Sequence, residues 1–349
     1  MERLDSMNNK EEMLAQLSVM AKECSIIKEE HYQKYIVKRG LRDIEGQGVL
    51  VGLTEIGEVH SYIIDENEMV PVPGRLMYRR IDIKDIVQGF WSEERFGFEE
   101  TSYLLLFGDM PDKSQLKKFK HLLADYQKLP EGFVRDIIFK GPSTDIMNVM
   151  ARSVLGLYGY DYKADDISID NIVEQCLRLI ANISTLAVYG YQAYSYYHHN
   201  KSPDIHSPNS ELSIAENILH MLRSDSRYTA LEARLLDMVL ELHAEHGGGN
   251  NSSFVTHVVT SSGTDTYSVI AAALGSLKGP RHGGANVKVV QMFDDLKETV
   301  QNWDDEVEIE NYLTRILNKE AFDGTGLIYG IGHAVYSISD PRAVILKDA

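Results

Sequence analysis

One pattern dominates the chain after Asp82: apolar residues three and four positions apart, in runs parted by Pro, Gly or Asp-rich breaks. The runs fall at 91–107, 113–126, 144–157, 169–197, 213–222, 231–243, 265–277 and 286–300. Such spacing lays an apolar stripe along an α-helix, whereas a half-buried strand alternates with period two. Thr229-Ala-Leu-Glu232 reads as a capping box, and Ser210-Glu-Leu-Ser213 as helix-start chemistry. The contrast lies upstream. Gly48-Val-Leu-Val-Gly-Leu53, Val59-His-Ser-Tyr-Ile-Ile64 and Val70-Pro-Val-Pro-Gly74 cluster β-formers around turn residues. The expected fold is mainly α, with a short β hairpin region near the N-terminus. Residues 1–37, charged with sparse apolar positions at Met13, Leu14, Leu17 and Met20, are expected to form a helical arm.

At 349 residues the chain has room for roughly two domains, and a core of that size needs no disulfide or metal staple. Its 44% hydrophobic and 25% charged content is that of a globular protein, not a disordered or fibrous one. A net charge of −17 repels a phosphate backbone, so a nucleic-acid partner is not expected. A local basic pocket for a small anion remains compatible with it. The only cysteines, Cys24 and Cys176, form no Cys-x-x-Cys, which leaves no zinc ribbon or disulfide framework and favours a reducing compartment. No continuous apolar run approaches the ~18 residues of a membrane span, and residues 1–10 are too polar for a signal peptide. A cytoplasmic protein with no membrane partner is expected.

Several familiar signatures fail. No G-x-x-x-x-G-K-[ST] is present, and Gly324-Thr-Gly326 and Gly330-Ile-Gly332 follow helix rather than a buried strand. His243 and His246, with Glu245 between them, have a spacing that can bind metal, but no third ligand is suggested and no metal is expected. Tyr194-Ser-Tyr-Tyr-His-His199 reads as the aromatic end of a helix.

Three stretches do not read as scaffold: His246-Gly-Gly-Gly-Asn-Asn-Ser252, Lys278-Gly-Pro-Arg-His-Gly-Gly-Ala-Asn286 and Gly330-Ile-Gly-His-Ala-Val335, the last followed by Asp340-Pro-Arg342. Each sets a histidine among glycines at a helix boundary, where backbone can approach a ligand. A helix N-terminus attracts anions and keeps a nearby imidazole neutral. A neutral imidazole can donate to an oxygen on which negative charge develops, which suits enolate chemistry. An arginine beside such histidines suits a carboxylate. Taken singly, each histidine could be an ordinary helix-end residue.

Gly279-Pro-Arg-His-Gly-Gly-Ala-Asn286 and Gly330-Ile-Gly-His-Ala-Val-Tyr-Ser-Ile-Ser-Asp-Pro-Arg342 resemble the two signature segments of the citrate synthase family, and His246 with Asn250 resembles its earlier histidine loop. Weaker matches are Lys38-Arg-Gly-Leu41, Gly74-Arg-Leu-Met-Tyr-Arg-Arg80, Asp145-Ile-Met-Asn-Val-Met-Ala-Arg152 and Leu212-Ser-Ile-Ala-Glu-Asn217. The resemblance implies condensation of acetyl-CoA with oxaloacetate, then hydrolysis of the citryl thioester, with no metal or redox cofactor. By that resemblance His282 serves the thioester oxygen and His333 the oxaloacetate ketone. His246, Asn250 and Arg342 bind oxaloacetate, while Tyr329, Gly330, Ile331 and Gly332 face CoA. It also implies a large helical domain (38–281), a smaller one beginning at 282–349, and a homodimer.

A general-base aspartate and further arginines are implied downstream of the second signature. With Ala349 only seven positions past Arg342 (349 − 342 = 7), they are expected beyond residue 349, and the chain as it stands is expected to be weakly active or inactive. Asp340 belongs to the Asp-Pro-Arg element and is not given that role. Three other readings stay open: a 2-methylcitrate synthase using propionyl-CoA, a citryl-CoA-cleaving module, and a non-catalytic helical scaffold.

Overall fold

A computed structural model describes residues 54–349, apart from Asn67, Pro142, Pro280, Arg281 and Ala334. The expected arm over 1–37, the match at 38–41 and the β-rich stretch at 48–53 lie outside the described residues.

The hairpin forms. Strands β1 (Gly57–Asp65) and β2 (Glu68–Tyr78) pair antiparallel, and β3 (Ile81–Asp82) pairs with the end of β2. Strand β2 runs straight through Pro71 and Pro73, which read as turn residues. Its register with β1 slips between His60 and Tyr62, opposite these prolines, so the missing N–H donors fall at an irregularity.

Helices follow to the end: α1 (Ile83–Ser92), α2 (Phe98–Phe107), α3 (Lys113–Tyr126), α4 (Ile146–Leu157), α5 (Ile169–His199), α6 (Ile214–Leu222), α7 (Ala230–Leu242), α8 (Asn251–Thr260), α9 (Thr266–Leu277), α10 (Ala285–Thr299), α11 (Glu306–Leu317) and α12 (Pro341–Asp348). Side-chain caps mark most of their starts. Ser213 with Glu216 and Thr229 with Glu232 close capping boxes, while Asp145, Asn250 and Asp265 cap α4, α8 and α9.

The run at 91–107 is not one helix. It breaks at Glu93 and at Glu94, whose φ is +52°. Asp237 of α7 draws the chain inward there, accepting from Gly97 N at 2.6 Å and Phe98 N at 3.3 Å. A Cβ at Gly97 would run into the Phe90 ring and lie 2.5 Å from Glu241 Oε1, so the approach requires glycine.

Helix α5 is long and apolar enough to cross a membrane by length and composition, although no continuous run had suggested a span. Polar residues interrupt it, and these are buried: Asn171 donates to the Lys163 and Asp166 carbonyls, and Gln175 donates to Asp161 Oδ2. It is the central core helix, packed on α3, α4 and α6.

Three apolar clusters join the hairpin, the helices up to α9 other than α8, and Ile345 of α12. A fourth, of Met292, Leu296, Val300, Tyr312 and Ile316, draws all its members from residues 292–329.

Candidate active site

His246 lies in the turn after α7, and His333 in the loop between α11 and α12. The fold brings them together. His246 Nε2 is 3.2 Å from the Tyr336 hydroxyl, and the two imidazole centroids are 5.2 Å apart. Tyr336 closes the group, its ring 4.8 Å from His333.

Both histidines are held neutral. Burial above all, then the Arg342 guanidinium and His333, push His246 down to about 4. Burial, with Arg342, pushes His333 below its ordinary value despite the opposing Asp340. Neutrality at a helix boundary was expected from the helix dipole; burial and a neighbouring arginine produce it instead. His333 Nδ1 accepts from Val335 N at 3.0 Å and Tyr336 N at 3.2 Å. Its proton therefore sits on Nε2, leaving that N–H to donate outward.

Asp340 caps α12 by accepting from Arg342 N at 2.9 Å. The same carboxylate grips the Arg342 side chain through Nε at 3.0 Å and Nη2 at 2.7 Å. This fork lowers Asp340 and leaves it a poor proton acceptor, while Arg342 keeps its remaining N–H donors for an incoming carboxylate.

The other expected site residues are placed differently. Asn250 spends its amide on the turn: Oδ1 accepts from Ser253 N and Ser252 Oγ, and Nδ2 donates to Gly247 O at 3.0 Å. His282 is exposed in a tight turn leading into α10, where Gly283 N donates to Leu277 O at 2.9 Å. Among the described residues no hydrogen bond or ring contact links its side chain to the His246–His333 pair. The Gly330 backbone lies against Val289 of α10, the helix that this turn opens. Gly330 and Gly332, with φ of +87° and +95°, bracket the exposed Ile331. The Tyr329 hydroxyl donates to Asp323 Oδ2 at 2.8 Å, and Lys288 pairs with the same oxygen at 3.2 Å.

Two residues were overlooked in the sequence. Tyr336 stands inside the quoted signature, three positions after His333, and that position was its only signal. Tyr78 had none. It is fully buried in β2, and its hydroxyl reaches the turn that carries His246.

Residues 43–349 match the family model of the citrate synthase C-terminal domain. The chain belongs to the citrate synthase family. A citrate synthase of Synechocystis sp. is 32% identical over 280 residues, which cover 79% of this chain and 63% of that protein. A 2-methylcitrate synthase of Shewanella oneidensis is 31% identical over 276 residues, 78% of this chain and 65% of that protein. The chain thus spans just under two thirds of the length of these relatives. Among solved structures, the citrate synthase of Thermotoga maritima superposes with a TM-score of 0.66 at 28% identity, covering 89% of this chain and 72% of that one. That of Pyrobaculum aerophilum gives 0.70 at 25% identity, covering 89% and 71%.

Proposed function

We propose that the chain serves a condensing acyltransferase that joins acetyl-CoA to oxaloacetate and water, giving citrate and CoA. The observation that carries this reading is the meeting of His246 with His333 and Tyr336, from segments about ninety positions apart in the chain, with the Arg342 guanidinium near enough to lower both imidazoles. Oxaloacetate needs a guanidinium for a carboxylate and a neutral N–H donor for its ketone. Arg342 and the Nε2–H of His333 supply both, and the neutral His246 adds a third contact. An N–H aimed at the ketone oxygen stabilises the alkoxide that forms as the new C–C bond closes. His282 is assigned to the thioester oxygen, and residues 329–332 to CoA.

The base that removes the acetyl α-proton is not assigned to Asp340, because Arg342 and the cap of α12 already hold that carboxylate. We assign it to none of the described residues. A cytoplasmic homodimer without metal or redox cofactor, working at the entry of the tricarboxylic acid cycle, is the context this reading implies.

A 2-methylcitrate synthase is the second reading, favoured by the Shewanella relative at nearly the same identity. Thiol release with oxaloacetate and either acetyl-CoA or propionyl-CoA separates the two. Faster release with acetyl-CoA, abolished in His333→Ala, is expected. Release that survives the substitution, or oxaloacetate binding no weaker in Arg342→Ala, overturns the assignment.

A further inference from the structure

Strand β2 touches both halves of the site. Gly74, Leu76 and Tyr78 share one face of the strand, because side chains alternate. At one end Gly74 N donates to Ser339 O at 3.1 Å, in the segment between Tyr336 and Asp340. A Cβ at Gly74 would strike that carbonyl and lie 2.5 Å from the Tyr336 ring, so the strand is pressed directly on the loop. About 13 Å along, at the extended rise per residue, the Tyr78 hydroxyl meets the end of α7. It donates toward Glu241 O at 2.9 Å and Glu245 O at 3.1 Å, and accepts from Glu245 N at 3.3 Å. These carbonyls belong to the end of α7 and the turn beyond it, where Glu241 O also accepts from Ala244 N at 3.2 Å. The residue after Glu245 is His246.

We propose that Tyr78 is a positioning residue for His246: its phenol ties the Glu241–Glu245 turn to the strand that also carries Gly74 against Ser339, and so holds the imidazole against Tyr336 and His333. The role rests on the reading that this pair of histidines receives oxaloacetate. Several contacts back it up. Val59 of β1 packs on Gly247, and a Cβ at Gly57 would lie 2.7 Å from the Glu245 carboxylate, so the hairpin covers the turn on both sides of His246. The phenol remains protonated, since burial raises it far above its ordinary value. It therefore acts as a hydrogen-bonding pin and takes no part in proton transfer.

The test compares Tyr78→Phe with Leu76→Ala, a change at a fully buried residue on the same strand face that leaves the phenol intact. The readout is the titration of the His246 imidazole by NMR, with Arg342, His333, Asp340 and Tyr336 unchanged around it. In Tyr78→Phe the loosened turn lets water reach the ring, and its midpoint is expected to rise from about 4 by one unit or more, toward the ordinary value of about 6.5. Leu76→Ala is expected to lower Tm without moving that midpoint. A folded Tyr78→Phe with an unmoved His246, or an equal shift in Leu76→Ala, overturns the proposal. Should Tyr78→Phe not fold, hydrogen exchange of the unaltered protein decides: a protected Glu245 amide supports the pin, and exchange at the unprotected rate overturns it. Oxaloacetate binding by the unaltered protein reads the site assignment separately. Absent binding there, with a shifted His246 in Tyr78→Phe, removes the assignment and leaves the positioning role standing.

Discussion

At the scale of single residues, the densest chemistry outside the site lies where α7 meets the start of α2. Asp237 and Glu241 are each only 2% exposed, one helical turn apart and in hydrogen-bond contact. Burial pushes both carboxyls up, and Glu241 further, so the pair keeps a proton at neutral pH. Asp237, the more acidic member, accepts from Gly97 N and Phe98 N at the N-terminus of α2, where negative charge is favoured. The folded chain holds a proton on Glu241 that the unfolded chain releases above its ordinary 4.5. The stability from that proton is fully present below 4.5 and is lost as pH climbs toward about 10. Glu241→Gln supplies a permanent donor to Asp237 and has nothing to titrate. Urea unfolding at pH 5, 7 and 9 should show stability falling with pH in the native chain and a much flatter line in the variant, which becomes the more stable of the two at pH 9. Parallel lines would mean that the pair holds no extra proton.

At the scale of elements, helix starts near the site do two jobs. Asp340 caps α12 and orients Arg342; Asn250 caps α8 and closes the turn that begins at His246. The expected role of Asn250 as a direct oxaloacetate contact and its observed role as a cap make different predictions. Loss of the cap in Asn250→Ala should cost about 1 kcal/mol of stability, seen as a lower urea midpoint, and should weaken oxaloacetate binding through the turn. Asn250→Asp keeps an acceptor for Ser253 N, so its midpoint should stay close to that of the native chain. If the alanine variant loses binding with no loss of stability, the amide serves the ligand and its cap contributes little. Helix α5 carries the same lesson about local chemistry. Its composition alone would suit a bilayer, yet Asn171 and Gln175 find partners in the 161–166 loop that no lipid could supply.

For the molecule as a whole, the separation of the fourth apolar cluster matters most. Its residues come from α10, α11 and the loop that follows them, the segment that carries His282 at one end and the Gly330 loop at the other. With a core of its own, α10–α11 can open without disrupting the core around α5. Native-state hydrogen exchange should therefore find amides at 288–316 opening at a lower free energy than those at 175–193, and oxaloacetate should narrow the gap if closure over the ligand draws this segment in. Uniform protection across both segments would make the protein one cooperative unit.

Much of this was open to a reader of the sequence alone. Helix periodicity, capping residues and β-branched clusters act over three or four positions. They placed α3, α4, α6, α7 and α9 to within a residue or two, and found the hairpin. Glycine-flanked histidines marked His246 and His333, because the demand for unhindered backbone is written locally. What local chemistry could not decide were the events between distant segments. Asp237 splits the run at 91–107 from some 140 positions away, Tyr336 reaches His246 from 90, and Tyr78 reaches the same turn from 167. Partners at such separations leave no periodic trace, since any polar residue able to find one reads in isolation as a solvated side chain. Only the folded packing, which makes an unpaired buried polar group costly, determined that these pairs would form and so which face of each histidine was left free.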